Sequence, residues 1–427
     1  MSGRSRSGLN VGRTYTDRSS RLAVPLTFWA AGVGGITAGL WRLWAVRALL
    51  TAGTIGSGRV LTAVHLFTLG GFSMLMMGAL YQLTPVLLNC SPVRPHTGLS
   101  QWEVYTLGVT LFVLGFNNDS KELITLGGIG VITGILFFVI NLAGRIYRRT
   151  TWNITAWFFA TALFYLTLTV VMGGLLGLRY VFGAPSFRNE PAIHVALAAG
   201  GWFGLVVIGA SYRLWAMFGR KHREPRWWLM VWVLANGAVW CWVIGELAMG
   251  GWLAAVGWVS QLAAFLLYAT DILQSGLIDR RTRDDPALRA LLAGMAFLLV
   301  WEVLGSWALV GQNPRLWIPA LLSYGLGWIG FSFIGFAQKI VPFMVWLHRY
   351  AHVHGHGKMP RLADIWRPEW GIVPLISGAL GLGVVLVGWA LRSGILLTVG
   401  LALQAVAWLA LYPAGLRAVR GPHRIPS

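Results

Sequence analysis

The sequence predicts an all-α polytopic membrane protein with twelve transmembrane helices in three pseudo-repeated four-helix units. Three observations predict it. Of the 427 residues, 56% are hydrophobic and 11% charged, with mean hydropathy +0.65, far from the balance of a soluble domain. Apolar stretches of the length a bilayer requires, about 20 residues, recur along the whole chain. A motif with a polar end recurs three times, about 130 residues apart: Gly78-x-x-Tyr81-Gln82-x-x-Pro85, Gly209-x-x-Tyr212-Arg213 and Gly335-x-x-Gln338-Lys339-x-x-Pro342.

The twelve spans fall at about 22–44, 61–88, 102–117, 123–143, 152–178, 194–218, 227–248, 251–274, 288–310, 317–345, 372–391 and 394–416. They form one membrane domain over 22–416. The stretch 1–21 is basic and Ser/Gly-rich and has no small-residue cleavage site behind a short apolar core, so it reads as a flexible cytoplasmic tail. A second basic cytoplasmic tail is expected over 417–427. Spans 2, 6 and 10 carry the motif and are four spans apart, so all three cross in the same direction.

The net charge of +20 would suit a nucleic-acid partner, but its distribution excludes one. With both termini inside, most Lys and Arg fall in cytoplasmic segments, which is the positive-inside pattern of a multi-pass inner (cell) membrane protein. The lipid bilayer is the partner this predicts, with anionic headgroups on the basic inner face. Cys90 and Cys241 lie in different spans and give neither a mutual disulfide nor a thiolate metal site. Trp227, Trp228, Trp240, Trp242, Trp252 and Trp258 lie near or between span ends, as interfacial anchors do.

The motif helices are dense in glycine (Gly70, Gly71, Gly78; Gly200, Gly201, Gly204, Gly209; Gly325, Gly327, Gly330, Gly335). Such positions let helices approach closely, and they equally leave room for a flat macrocycle. Two histidines stand near the outer starts of these helices, His65 in the second span and His194 in the sixth. Ionisable residues inside a membrane are costly and point to function, and a neutral imidazole is a common haem ligand. His65 stands 13 residues before Gly78 and His194 stands 15 before Gly209, which on a regular helix sets them on nearly opposite faces. A shared metal ion does not follow from that spacing.

The run His65-x-x-x-x-Gly70 through Gly78-Ala79-Leu80-Tyr81-Gln82-x-x-Pro85 resembles the second helix of proteins related to subunit I of haem–copper oxidases. Gly201-Trp202-Phe203-Gly204 with Gly209-x-x-Tyr212 resembles them too, as do Lys339-Ile340-Val341-Pro342-Phe343 and Trp346-Leu347-His348-Arg349-Tyr350. A looser likeness is to haem- and copper-containing membrane proteins of nitric-oxide response. The resemblance implies twelve helices in three four-helix units, with His65 as a ligand to a low-spin haem and His194 as the candidate copper or second haem contact. It also implies an electron-donor protein or quinol, and a partner subunit. The chain departs from the pattern in its seventh span, which lacks the family's histidine pair, and in its tenth, which lacks the His-x-His. The binuclear haem–copper centre therefore lacks its ligands, and one haem with redox or electron-transfer chemistry is the expectation. A non-redox transporter or assembly scaffold that kept the fold is the alternative, with Arg213, Lys339 and Glu302 around a polar path.

Other candidates divide between a chemical and a structural role. Tyr324 occupies the part of the tenth span where the family's histidines lie; it either ligates haem iron or bonds to a neighbouring helix. Arg213 and Lys339 share the depth of Gln82 and either hold propionates or another anion or snorkel to the surface. Glu246, Asp271 and Glu302 are acids within or near the membrane, where a buried carboxylate needs a partner. His348, His352, His354 and His356 form H-x3-H-x-H-x-H in an inner loop, which reads as a divalent-metal chelate or as a solvated loop.

Overall fold

A computed structural model describes residues 22–54, 56–148, 152–185, 189–218, 224–248, 251–274, 284–350 and 359–421. Among them the secondary structure is helical throughout. The long helices are α1 Ala23–Ala45, α2 Gly58–Leu88, α3 Pro95–Asn118, α4 Lys121–Tyr147, α5 Ile154–Phe182 and α6 Glu190–Trp215. They continue as α7 Trp228–Ala248, α8 Gly251–Ile272, α9 Pro286–Val310, α10 Pro314–Arg349, α11 Pro368–Ala390 and α12 Gly394–Arg420. All but α3 are long and apolar enough to cross a membrane, eleven in all among the described residues. The chain is a multi-pass membrane protein. At the expected third span the helix is 24 residues long, starting seven residues before the expected 102, and its added first turns are polar. At the other end α12 runs through Arg420, past the expected 416, as an amphipathic last segment from Leu411.

Three helix pairs are tight hairpins, α3–α4, α7–α8 and α11–α12. Two have the same local cause. Asp119 (φ 54°) and Arg392 (φ 51°) turn into the left-handed region, ending the first helix. The next residue, Ser120 or Ser393, then accepts a hydrogen bond from the backbone N–H of Leu123 or Leu396 and caps the second helix. In the same order along the chain, α1 lies along α2, α5 along α6 and α9 along α10.

The motif glycines mark where these pairs touch. A Cβ on Gly78 would stand 2.5 Å from the Phe28 Cβ of α1, and one on Gly209 would stand 2.4 Å from the Phe158 Cβ of α5. Gly327 meets the Phe297 Cβ of α9 at 2.4 Å in the same way. A neighbouring side chain fills each glycine face, so here the glycines serve close packing.

Each motif helix is interrupted by a π-helical segment: Leu66–Ser73 in α2, Leu197–Gly204 in α6 and Ser323–Ile329 in α10. Each begins twelve positions before its motif glycine, Gly78, Gly209 or Gly335. π-Helix is rare and concentrates at functional places, because the wider turn frees backbone groups from the i→i−4 ladder. Here tyrosines take up two of those carbonyls. Tyr105 of α3 donates to Leu69 at 3.0 Å and Tyr324 of α10 donates to Ala199 at 2.7 Å. Trp202 Nε1 donates to Ser73 Oγ at 3.2 Å, joining the π segments of α6 and α2.

Trp258 is buried, and Trp242, Trp258, Trp301 and Trp317 form one cluster with ring centroids 5.2–6.1 Å apart. Trp258 is thus a core residue, and half-buried Trp242 packs against it, linking α7, α8, α9 and α10. Trp240 and Trp252 are exposed, as interfacial anchors would be.

Candidate functional site

The site is built where α2 and α6 start, against α5. In α2, the Ser57 side chain caps the first turn by accepting from the Val60 N–H, and His65 closes the α-helical part just before the π segment begins. Its Nδ1 lies 2.8 Å from the Leu61 carbonyl. A carbonyl can only accept, so Nδ1 carries the proton and Nε2 presents its lone pair. That is how a metal-ligating imidazole is held by its second nitrogen. The ring stacks on Phe116 (centroids 5.4 Å apart, planes 6° apart) and meets Phe112 edge-on at 5.2 Å, so two side chains of α3 fix its plane. Tyr180 of α5 closes on Phe116 from the far side.

His194 stands in the first α-helical turns of α6, with Pro191 in the opening turn, and faces α5. Gly173 makes this position available: a Cβ there would lie 3.1 Å from His194 Cε1. The Thr169 backbone carbonyl of α5 lies beside the ring, while His194 Nδ1 is buried and has no hydrogen-bond partner. An orphaned ring nitrogen in apolar surroundings is costly unless something bonds to it.

The two histidines sit on different helices, His65 against α3 and His194 against α5, and the same π distortion follows each.

These observations fit an imidazole-ligated metal or haem in two respects. The His65 ring is oriented by a backbone carbonyl, and the orphaned Nδ1 of His194 lies beside Gly173. Room for a macrocycle does not come from the motif glycines, which packing fills. Nor does it come from the cavity among α2, α6 and α10. That cavity measures about 70 Å³ and is lined by apolar side chains such as Leu80, Val207, Ala210 and Phe336, with Ser332 its one hydroxyl; pockets for drug-sized ligands run about 300–1,000 Å³. Among the described residues no three His, Cys, Asp or Glu side chains gather around one point.

The remaining candidates are engaged separately. Tyr324 spends its hydroxyl on the Ala199 carbonyl, the helix-bonding role. Arg213 is exposed, in the snorkelling position. Lys339 pairs with Asp285, which also caps α9 by accepting from the Ala287 N–H. Glu302 is buried and its Oε1 accepts from Gln261 Nε2 at 3.1 Å. Arg213, Lys339 and Glu302 thus each have their own surroundings. Glu246 is half-buried and accepts from Asn189 Nδ2. Asp271 is buried, taking hydrogen bonds from the Tyr212 hydroxyl (3.1 Å) and from the Arg226 and Trp227 backbone N–H groups. His348 bonds through Nδ1 to the Met344 carbonyl at 2.9 Å; His352, His354 and His356 lie outside the described residues.

Sequence reasoning missed Phe112, Phe116, Thr169 and Gly173. None stands in a motif, and their place beside the histidines depends on how α3 and α5 dock. No protein-family model matches the chain, and no curated protein matches it.

Proposed function

We propose that the chain is an integral membrane redox protein holding haem, or a metal ion, through His65 and His194 on an oxidase subunit I-like scaffold of three four-helix units. The observation that carries this reading is a pair of half-buried imidazoles at the matching starts of α2 and α6, each just ahead of a π segment. His65 has its Nδ1 proton tied to the Leu61 carbonyl and His194 has a bare, buried Nδ1. A haem bound there would supply one-electron chemistry. His65 would be the axial ligand, pre-set by its carbonyl and by the Phe116 stack, which removes the entropy of ordering the ring on binding. His194 would be the second ligand, packed against Gly173 of α5.

The unit architecture is supported by the common order of contacts. In each set of four, the first helix lies along the second and the third and fourth form a hairpin, and the second carries the π segment at a fixed distance from its glycine. Such a scaffold places α2, α6 and α10 innermost and sets the two termini on one side, taken as cytoplasmic from the charge pattern. An electron donor, protein or quinol, would approach from the membrane or the outer face.

Visible spectroscopy and metal analysis of the full-length protein in detergent test the reading. A Soret band or stoichiometric transition metal is expected, lost or shifted in His65→Ala and weakened in His194→Ala. Protein that shows neither, and that takes up neither haem nor metal on reconstitution, overturns it.

A further inference from the structure

Away from the histidines, where α2 and α4 finish, three donors lack an acceptor. Tyr81 is fully buried, its ring held edge-on by Phe28 (5.7 Å) and Phe138 (5.1 Å). Its hydroxyl sits beside the Asn141 amide and Arg145 of α4, and the Tyr81 hydroxyl, Asn141 Nδ2 and Arg145 Nε are all buried without a hydrogen bond of good geometry. Arg145 donates through NH1 to the Asn141 carbonyl, which holds the guanidinium over this spot. No ion pair among the described residues includes Arg145. A phenol, an amide NH2 and a guanidinium edge present only or mainly donors, and three together ask for an acceptor with negative charge.

The chain contains its own answer to the same arrangement. About 130 residues further on, Tyr212 takes the place of Tyr81 and Asp271 of α8 takes the place of Asn141. There the tyrosine hydroxyl donates to the Asp271 carboxylate at 3.1 Å. The second site has its oxyanion built in, whereas the first has an amide in that position and an unpaired cation added.

We propose that Tyr81, Asn141 and Arg145 form a site for a phosphate-type oxyanion, supplied by the headgroup of an anionic phospholipid. Arg145 is half-buried and the following Tyr147 and Arg148 are exposed, so the site lies at the rim of the bundle where headgroups stand. The guanidinium offers the forked recognition that suits phosphate. Binding joins α2 to α4 through the ligand as Asp271 joins α6 to α8 through a covalent side chain. The site is remote from His65 and does not depend on the redox reading.

Thermal unfolding of the full-length protein in neutral detergent tests it, with phosphatidylglycerol, phosphatidylcholine or inorganic phosphate added. Phosphatidylglycerol is expected to raise the Tm by several degrees and phosphatidylcholine to leave it in place. An equal rise with inorganic phosphate would assign the site to the free anion and overturn the lipid source. Tyr81→Phe and Arg145→Met should lose most of the rise. Asn141→Asp should restore the carboxylate found in the second site, raising the Tm without lipid and abolishing the response. A wild type indifferent to both anions, or a response kept in full by all three variants, overturns the proposal.

Discussion

The Tyr324 hydroxyl donates to the Ala199 carbonyl at 2.7 Å, and so bonds the π segment of α10 to that of α6. A carbonyl released from the helical ladder in one segment is taken up by a side chain from the other. The bond makes Tyr324 a strap between helices, and strap and ligand predict different consequences of its loss. Tyr324→Phe should lower stability by about 0.6–2 kcal/mol, the range for interhelical hydrogen bonds in membranes. Any absorption of a bound haem should be unmoved, so a changed spectrum at unchanged stability would make Tyr324 a ligand.

Gly173→Val should evict the His194 ring. A single Cβ already stands 3.1 Å from its Cε1, and valine adds two further methyls beside the ring. Metal or haem content is expected to fall with helix content unchanged by circular dichroism. Undiminished content would remove His194 from the ligand set.

Gly209→Ala should destabilise the α5–α6 pair. Its Cβ would overlap the Phe158 Cβ at 2.4 Å, and overpacking of this kind costs about 1–3 kcal/mol. Gly177→Ala, where a Cβ meets nothing within 4 Å, is the control. Equal Tm values for the two variants would refute the close-packing role.

Asp285 and Lys339 should respond unequally. Lys339→Met removes a partly exposed ion pair, worth about 0–1 kcal/mol. Asp285→Ala removes that pair and the cap of α9, and loss of a cap adds about 0.5–2 kcal/mol. The larger Tm loss should therefore follow Asp285→Ala, and the reverse order would assign Lys339 a role beyond the pair.

Asp364, outside the spanning helices, accepts from the Arg361 backbone N–H at 2.8 Å, which holds its carboxyl below the usual aspartate value. A depressed folded-state pKa contributes stability above the unfolded-state value, ~3.9, and loses it as pH falls through the folded one. Carbon-detected titration of the labelled carboxylate should give a midpoint below the ordinary aspartate range. A midpoint at or above it would remove the cap.

Much of this fold is legible in the sequence because a bilayer permits so few backbones. Eleven of the expected spans reappear as long apolar helices, since any segment there must satisfy its own N–H and C=O groups. The motif glycines were legible as close contacts, but not what fills them, because Phe28 and Phe158 lie some 50 residues away and become partners only when helices dock. The π segments were not legible at all. His65 and His194 could be singled out by cost alone, whereas their neighbours on α3 and α5 depend on how those helices dock. Asn141 carried no signal until Asp271, its counterpart, was seen holding Tyr212.

Several contacts join the first spanning helix to the last. The Tyr412 hydroxyl donates to the Ala30 carbonyl at 2.5 Å, and Gly415 sits against the Trp29 ring. Hairpins such as α3–α4 can form as soon as they leave the ribosome, since their contacts are local. The α1 surface facing α12 must instead wait for almost the entire chain to be inserted. Until then that surface faces lipid or a chaperone, so α1 and α12 meet only once the last helix is inserted.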